Sequence, residues 1–590
     1  NPIDTLLTGF RDDNIAIDWK QKHGYSKYNP DVQEQLHKVS FAIFEHLGSL
    51  DSGQWSIFDS PNYRLEKLLV LLGDWLRADI RYPMRVGDTV SDTTFSKAYF
   101  ADHSIYHSRN YNPVQADLGG FSRSDYSEVT LVDKTLSYTH NVIKKYDQAA
   151  LVYAVPGQTF KVTRLDDGPA RVAVYMNTLR NHAVEPFYRG KKRAGWDRPE
   201  NVKSKRFGIK KGETVTITSA YGGPLQYWVR GNNQGDIKLR FENVGEHPVY
   251  NGPESLDKFV AAFEANQYDW VEVVTPSIVL HTTRQKMLAT LRNPRHTTID
   301  KLAELMWQYN HVDPLSLAGR SGPGLKRSAG VTAFCDTHQW DCGVGETGVR
   351  KVQHINSDRA SCGVACSGNP FDMDKPYSPI KWGPVHELGH NMQSGLMQIY
   401  GVTGEVMNNI FPVHVFASFS LNENGIHQVY ENSRDKTAYN VLQQTIARPD
   451  QKASAKELIW IGKGSNFNAR LPFYVQLALN SGDAPQLGDD GWDVYPLMYL
   501  KGGLMGRAAK TEASWNAEKA NLGMSLYTMA DARSISGIDY MLTSMSFITK
   551  RDQRPFFDMW GLDYSELAAN QVANYAFPVA EKRFLMKGFD

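Results

Sequence analysis

The sequence predicts a multidomain α+β chain: an N-terminal helical region, an antiparallel β-sandwich, then a mostly helical domain with a C-terminal region. Three observations predict it. Apolar residues recur at helical spacing within the first hundred positions, short β-rich runs alternate with turn residues from about 125 to 250, and helical spacing returns after about 255. At 590 residues the chain is also too long for one hydrophobic core, since single cores stop growing near about 250–300 residues. The expected boundaries are 1–115 for the helical region, 125–253 for the sandwich, 254–510 for the second helical domain and 511–590 for the C-terminal region.

In the first region Leu36, Val39, Ile43 and Leu47 share one helical face, and Leu65, Leu68, Leu69, Leu72, Trp75 and Leu76 suggest a second helix. The sandwich rests on seven runs: Val129–Val132, Ala150–Val155, Phe160–Thr163, Arg171–Tyr175, Thr214–Thr218, Leu225–Val229 and Ile237–Phe241. Pro156-Gly157, Asp166-Asp167-Gly168-Pro169 and Gly222-Gly223-Pro224 punctuate them as turns. Further on, Thr297-Thr298-Ile299-Asp300 resembles a capping box ahead of Leu302, Leu305, Met306 and Tyr309. Residues 311–380, rich in Gly, Ser and Pro, read as a long loop region, and 471–509 as helical again.

Charge and composition exclude some classes. A net charge of +1, from 65 basic and 64 acidic side chains, argues against a nucleic-acid binder. The local basic runs Arg189–Arg193 and Lys203–Arg206 read as solvated loops. No run approaches the roughly 18 apolar residues of a membrane span. The N-terminus lacks the layout of a signal peptide, which suits a mature chain or an excised fragment. Cys335, Cys342, Cys362 and Cys366 fall within one short window of otherwise cysteine-free sequence. That clustering suggests two local disulfides and an oxidising compartment, with three pairings open; the spacings do not match common zinc modules.

The chemistry concentrates at Pro384-Val385-His386-Glu387-Leu388-Gly389-His390. A proline in the first turn starts a helix there. His386 and His390, four apart, then lie on one face and can hold a single ion. Glu387 sits beside that ion rather than on it, placed to take a proton from the attacking water. A catalytic zinc needs a third protein ligand and an open position. Glu405, fifteen residues past His390, follows Gly395, Gly401 and Gly404, enough for a helix end, a turn and a new helix folding back. It is the expected third ligand, the arrangement called a gluzincin. His281, His296, His338, His354 and His414 show no comparable partner spacing and read as structural or surface residues, although His414 lies close enough in sequence to approach the site.

The run from Trp382 to Gln393, with Gly404-Glu405-Val406 and Asn409-Ile410 behind it, resembles the enhancin-like zinc metallopeptidases. Pro156-Gly157-Gln158 and Tyr221–Tyr227 resemble the sandwich that precedes their catalytic domain, and the likeness spans about 130–510. The N-terminal helical region resembles that of the bacterial accessory colonisation factor and secreted surface lipoprotein group. The resemblance implies a secreted or cell-surface zinc endopeptidase acting on mucin-type O-glycosylated proteins. It implies one catalytic zinc ion on His386, His390 and Glu405, with Glu387 as general base. The residue that steadies the oxyanion stays open, with Tyr400 and Tyr474 candidates by residue type alone. Two other functions compete: a glycan-binding adhesin with a non-catalytic zinc site, its glycan contact made by the sandwich, and a zinc peptidase indifferent to glycans.

Overall fold

The computed structural model describes residues 2–15, 17, 33–50, 56–78, 80–85, 90–109, 125–138, 145–181, 184, 195–231, 236–322, 324–343, 352–360, 365–424, 433–446, 448–482, 484, 487 and 491–585. The basic run Arg189–Arg193 and Cys362 lie outside them. The chain forms two compact units, one of residues 1–303 with 350–377, the other of residues 304–349 with 378–590.

The first unit opens with helices Pro2–Arg11, Lys38–Leu50, Arg64–Ala78 and Asp92–Ser104. Leu36, Val39, Ile43 and Leu47 are buried as their spacing predicts, packed with Leu69, Phe95, Tyr99 and Trp196. The helix Arg64–Ala78 differs from expectation. It buries Leu69, Val70, Gly73 and Leu76 and leaves Leu65, Leu68 and Trp75 more than 60% exposed. Apolar residues occur on both of its faces, so periodicity could not choose between them. Packing chose: a Cβ on Gly73 would stand 2.6 Å from Ile105 Cγ1, and only a glycine face permits that approach.

The sandwich is observed as two antiparallel sheets. One runs Lys145–Ala154, Gly223–Arg230, Arg171–Met176, Phe207–Ile209 in spatial order; the other runs Ser108–Arg109, Thr214–Ser219, Thr159–Arg164, Ile237–Val244, Val132–Tyr138. Alternation places the core: Phe160, Val162, Ile237, Leu239 and Phe241 point inward while Lys161, Lys238 and Arg240 point out. The run Val129–Val132 supplies only its last residue to a strand. At the turn before Gly223–Arg230, Gly222 adopts φ +56°, where a Cβ would collide with the Ala154 carbonyl at 2.2 Å.

A third sheet was not legible in the sequence. Val249–Tyr250, Trp270–Val274, Ile278–Thr283, Gln353–Ser357, Phe371–Met373 and Ala365–Cys366 form one mixed six-stranded sheet; its first strand lies at the end of the expected sandwich, and the other five fall in a stretch expected to be helical or looped. Ile278–Thr283 is buried at every position and so shows no alternation. Gln353–Ser357 is mostly polar, and it takes its place between two parallel neighbours, Ile278–Thr283 earlier in the chain and Phe371–Met373 after it. Its buried polar side chains are satisfied by partners on other segments: Asn356 donates through Nδ2 to Asp372 at 2.8 Å and accepts through Oδ1 from Thr178 at 2.6 Å. His281 and His247 likewise clasp the fully buried Glu272, at 2.7 and 2.8 Å. Burial pushes that carboxyl up, but the two imidazoles outweigh it and hold Glu272 well below the usual carboxylate range.

The second unit is helical in its main elements, with Ala329–Thr337, Trp382–His390, Ile410–Asn424, Ser433–Ile446, Arg470–Leu479, Val494–Ala508 and Gly537–Thr549 the longer ones. Cys335 is bonded to Cys342, closing the end of the helix Ala329–Thr337. Cys366, in the first unit, is also disulfide-bonded. Among the described residues no helix is long and apolar enough to cross a membrane.

Candidate metal centre

The motif forms a helix, Trp382–His390, entered through an extended Lys381 and carrying Pro384 in its first turn. Val385, Leu388 and Gly389 face the core, while His386, Glu387 and His390 are half-buried on the open side. This division follows from the 3.6-residue period: positions 385, 388 and 389 share one stripe, and 386 and 390 share another.

A turn of 3-10 helix, Gly395–Met397, and the short helix Gly404–Met407 then lead into Ile410–Asn424, which packs on the motif helix. The return path brings Glu405 Oε2 to 3.3 Å from both His386 Nε2 and His390 Nε2. The close approach depends on Gly389, since a Cβ there would sit 2.6 Å from the Asn408 carbonyl oxygen and 3.0 Å from the Phe411 ring. His386, Glu387 and His390 are one of two groups among the described residues whose donor atoms could share a metal ion.

The imidazoles are held from behind. His386 Nδ1 donates to Asn409 Oδ1 at 2.7 Å, and Asn409 Nδ2 in turn donates to the Glu405 carbonyl at 2.8 Å. His390 Nδ1 donates to Gln393 Oε1 at 3.1 Å, and Gln393 Nε2 is anchored on the Gly404 carbonyl. With both Nδ1 protons committed, both Nε2 lone pairs point into the same space. The Asn408 amide marks that space by donating to the two Nε2 atoms at 3.2 and 3.1 Å. Two converging imidazole lone pairs and a carboxylate oxygen are the donor set of a zinc site, so the residues present fit the ion. Replacing Asn409 by Ala should leave the fold intact and weaken metal binding by about 10–100-fold, the usual cost of losing such a support. Competition against a chromophoric chelator measures this; unchanged affinity would remove Asn409 from the site.

The remaining sequence candidates fall elsewhere. Tyr474 is fully buried and donates to the Met397 carbonyl at 2.9 Å, while the Tyr400 hydroxyl donates to Gly561 and accepts from the Asp563 amide. Neither hydroxyl is available to an oxyanion in this arrangement. His414 pairs with Asp313 at 2.9 Å rather than with the motif histidines. His338 stays local, bonded to the Phe334 carbonyl. Asn408 was not singled out in the sequence; the only signal was its place beside Asn409, three residues past Glu405.

A helix bearing two imidazoles at i and i+4, a carboxylate between them and a second carboxylate returned from the next helix defines a metallopeptidase centre of the H-E-x-x-H class. Residues 247–561, more than half the chain, match the family described as peptidase M60, enhancin and enhancin-like. The chain belongs to that family. Residues 4–110 match the immunomodulating metalloprotease helical domain. The immunomodulating metalloprotease of Pseudomonas aeruginosa is 29% identical over 548 residues, covering 88% of this chain and 57% of the relative. The solved structure of the IMPa metallopeptidase in complex with T-antigen superposes with TM-score 0.84 at 26% identity, over 98% of this chain and 66% of that one. The structure of IMPa from Pseudomonas aeruginosa in complex with an O-glycopeptide gives 0.82 at 27% identity, over 95% and 65%. The chain thus spans less than two thirds of the length of these relatives.

Proposed function

We propose that this chain is a secreted or cell-surface zinc endopeptidase that cleaves mucin-type O-glycosylated proteins. The observation that carries the reading is the convergence of His386 Nε2, His390 Nε2 and Glu405 Oε2 within 3.3 Å contacts, with Glu387 on the adjoining position of the same helix. A zinc ion bound there would supply Lewis acidity toward the scissile carbonyl and its attacking water. Glu387 takes the proton from that water and passes it to the departing amine. Asn409 and Gln393 keep the imidazoles in the tautomer and orientation that leave Nε2 for the ion. The T-antigen and O-glycopeptide held by the related IMPa structures support a glycosylated substrate. The Cys335–Cys342 disulfide supports an oxidising, extracellular setting.

The test is incubation with an O-glycosylated mucin, with and without a chelator, followed by mass spectrometry of the new termini. Cleavage that stops on chelation and returns with zinc is expected, with new termini beside glycosylated Ser or Thr. Equal cleavage of the deglycosylated mucin would remove the glycan requirement, and binding without any cleavage would remove the peptidase.

A further inference from the structure

The second group of potential metal ligands among the described residues is Asp102, His103 and Glu200, in the first unit. Asp102 and His103 end the helix Asp92–Ser104, and Glu200 lies nearly a hundred residues on, four past the buried Trp196. One donor atom from each lies within 4.8 Å of the others. The three residues are 4%, 8% and 1% exposed. Two carboxylates and one imidazole are therefore gathered out of water, where charge left uncompensated is costly.

The local hydrogen bonds prepare these groups. Asp102 Oδ2 accepts from the Glu200 and Asn201 amides at 2.9 and 3.2 Å, which fixes the carboxylate, while Oδ1 makes no hydrogen bond at all. His103 donates Nδ1–H to the Tyr99 carbonyl at 3.0 Å and stacks on the Tyr99 ring at 3.9 Å. Its Nε2 then stands 2.8 Å from Glu200 Oε2. This is how metal-binding histidines are usually supported, with one nitrogen anchored on a carbonyl and the other turned toward the ligand set. The neighbouring cation, Arg77, is engaged by Asp74 at 3.3 Å and by the Ala101 and Ile105 carbonyls.

Asp102 and His103 also line a cavity of about 600 Å³, walled by His37, Phe41, Tyr106 and Lys203, which gives an ion a way in. We propose that Asp102, His103 and Glu200 form a second divalent-cation site, separate from the H-E-x-x-H centre and entered from this cavity. One imidazole with two carboxylates suits zinc or manganese. The ion ties the end of the helix Asp92–Ser104 to the segment after Trp196, and so acts on the stability of the first unit rather than on catalysis.

The experiment measures bound metal per chain by inductively coupled plasma mass spectrometry, after equilibration with zinc or with manganese and removal of free ion. Wild type is expected to hold two ions, His386→Ala/His390→Ala one, and the near-isosteric Asp102→Asn one. Added metal should raise the Tm of His386→Ala/His390→Ala, and should not do so once Asp102→Asn is added. One ion in wild type and none in a folded His386→Ala/His390→Ala chain overturns the site, leaving a protonated His103 paired with Glu200. One ion in both, lost on Asp102→Asn, supports the site and instead sinks the metal assignment at His386 and His390.

Discussion

Glu387→Gln is expected to lower kcat/KM on an O-glycosylated protein by about 10³-fold while the bound zinc stays at the wild-type level, within the range usual for losing a general base. The two effects separate because Glu387 lies one residue beyond His386 on the motif helix, while the converging contacts of the centre are made by His386, His390 and Glu405. Gln preserves shape and hydrogen bonding but cannot take up the proton. Glu387 is half-buried on the open side of its helix, so the change carries little folding cost. Rates from the mass-spectrometric assay, set beside metal content of the same samples, check the result. A variant that retains both zinc and full rate would transfer the base role elsewhere; one that loses zinc would make Glu387 a ligand.

Lys501→Met should stabilise the second unit, and by an amount that depends on pH. Lys501 is fully buried on the helix Val494–Ala508, with Nζ donating to Ser544 Oγ at 3.0 Å and the rings of Tyr540 and Phe547 within 6 Å. Burial alone lowers its pKa to about 7. An unfolded lysine titrates near about 10.4. Between these values the unfolded chain binds the proton and the folded chain does not, so this residue's contribution is fully present above the unfolded value and is lost as pH falls toward 7. The loss amounts to about 4 kcal/mol at neutral pH. Methionine fills similar space without the charge and forfeits one hydrogen bond worth about 1 kcal/mol. The variant should therefore exceed wild type by about 3 kcal/mol at pH 7; the difference should fall to zero a little below about pH 10 and reverse to about 1 kcal/mol in favour of wild type near about pH 11, where only the lost hydrogen bond remains. Denaturant titrations of both chains across that range measure it; a gap that does not change with pH would mean that Lys501 keeps its charge when folded.

Much of the candidate metal centre could be read without a structure because its information is local. His386, Glu387 and His390 occupy one helix whose period is set by backbone geometry, and the glycines after it announce a reversal before Glu405. The sandwich strands were legible for the same reason, since a half-buried antiparallel strand writes its two faces as alternation, as Thr159–Arg164 does. The mixed sheet left no such mark. Ile278–Thr283 is buried on both faces, and Gln353–Ser357 takes its β character from hydrogen bonds to residues far away in the chain.

The order of residues alone thus carried the candidate ligand residues, their helical face and the family they belong to. The folded chain was needed for everything that depends on approach between distant segments. It brought Asn409 behind His386 and Asn408 in front of both imidazoles, and it engaged Tyr400 and Tyr474 with backbone groups rather than with the centre. It also turned Leu65, Leu68 and Trp75 outward on a helix with two apolar faces, and gathered Asp102, His103 and Glu200 from across nearly a hundred positions. Periodicity records which side of one element is apolar. It holds no record of which neighbour will cover that side, because that is settled by close packing and by where buried polar groups find partners.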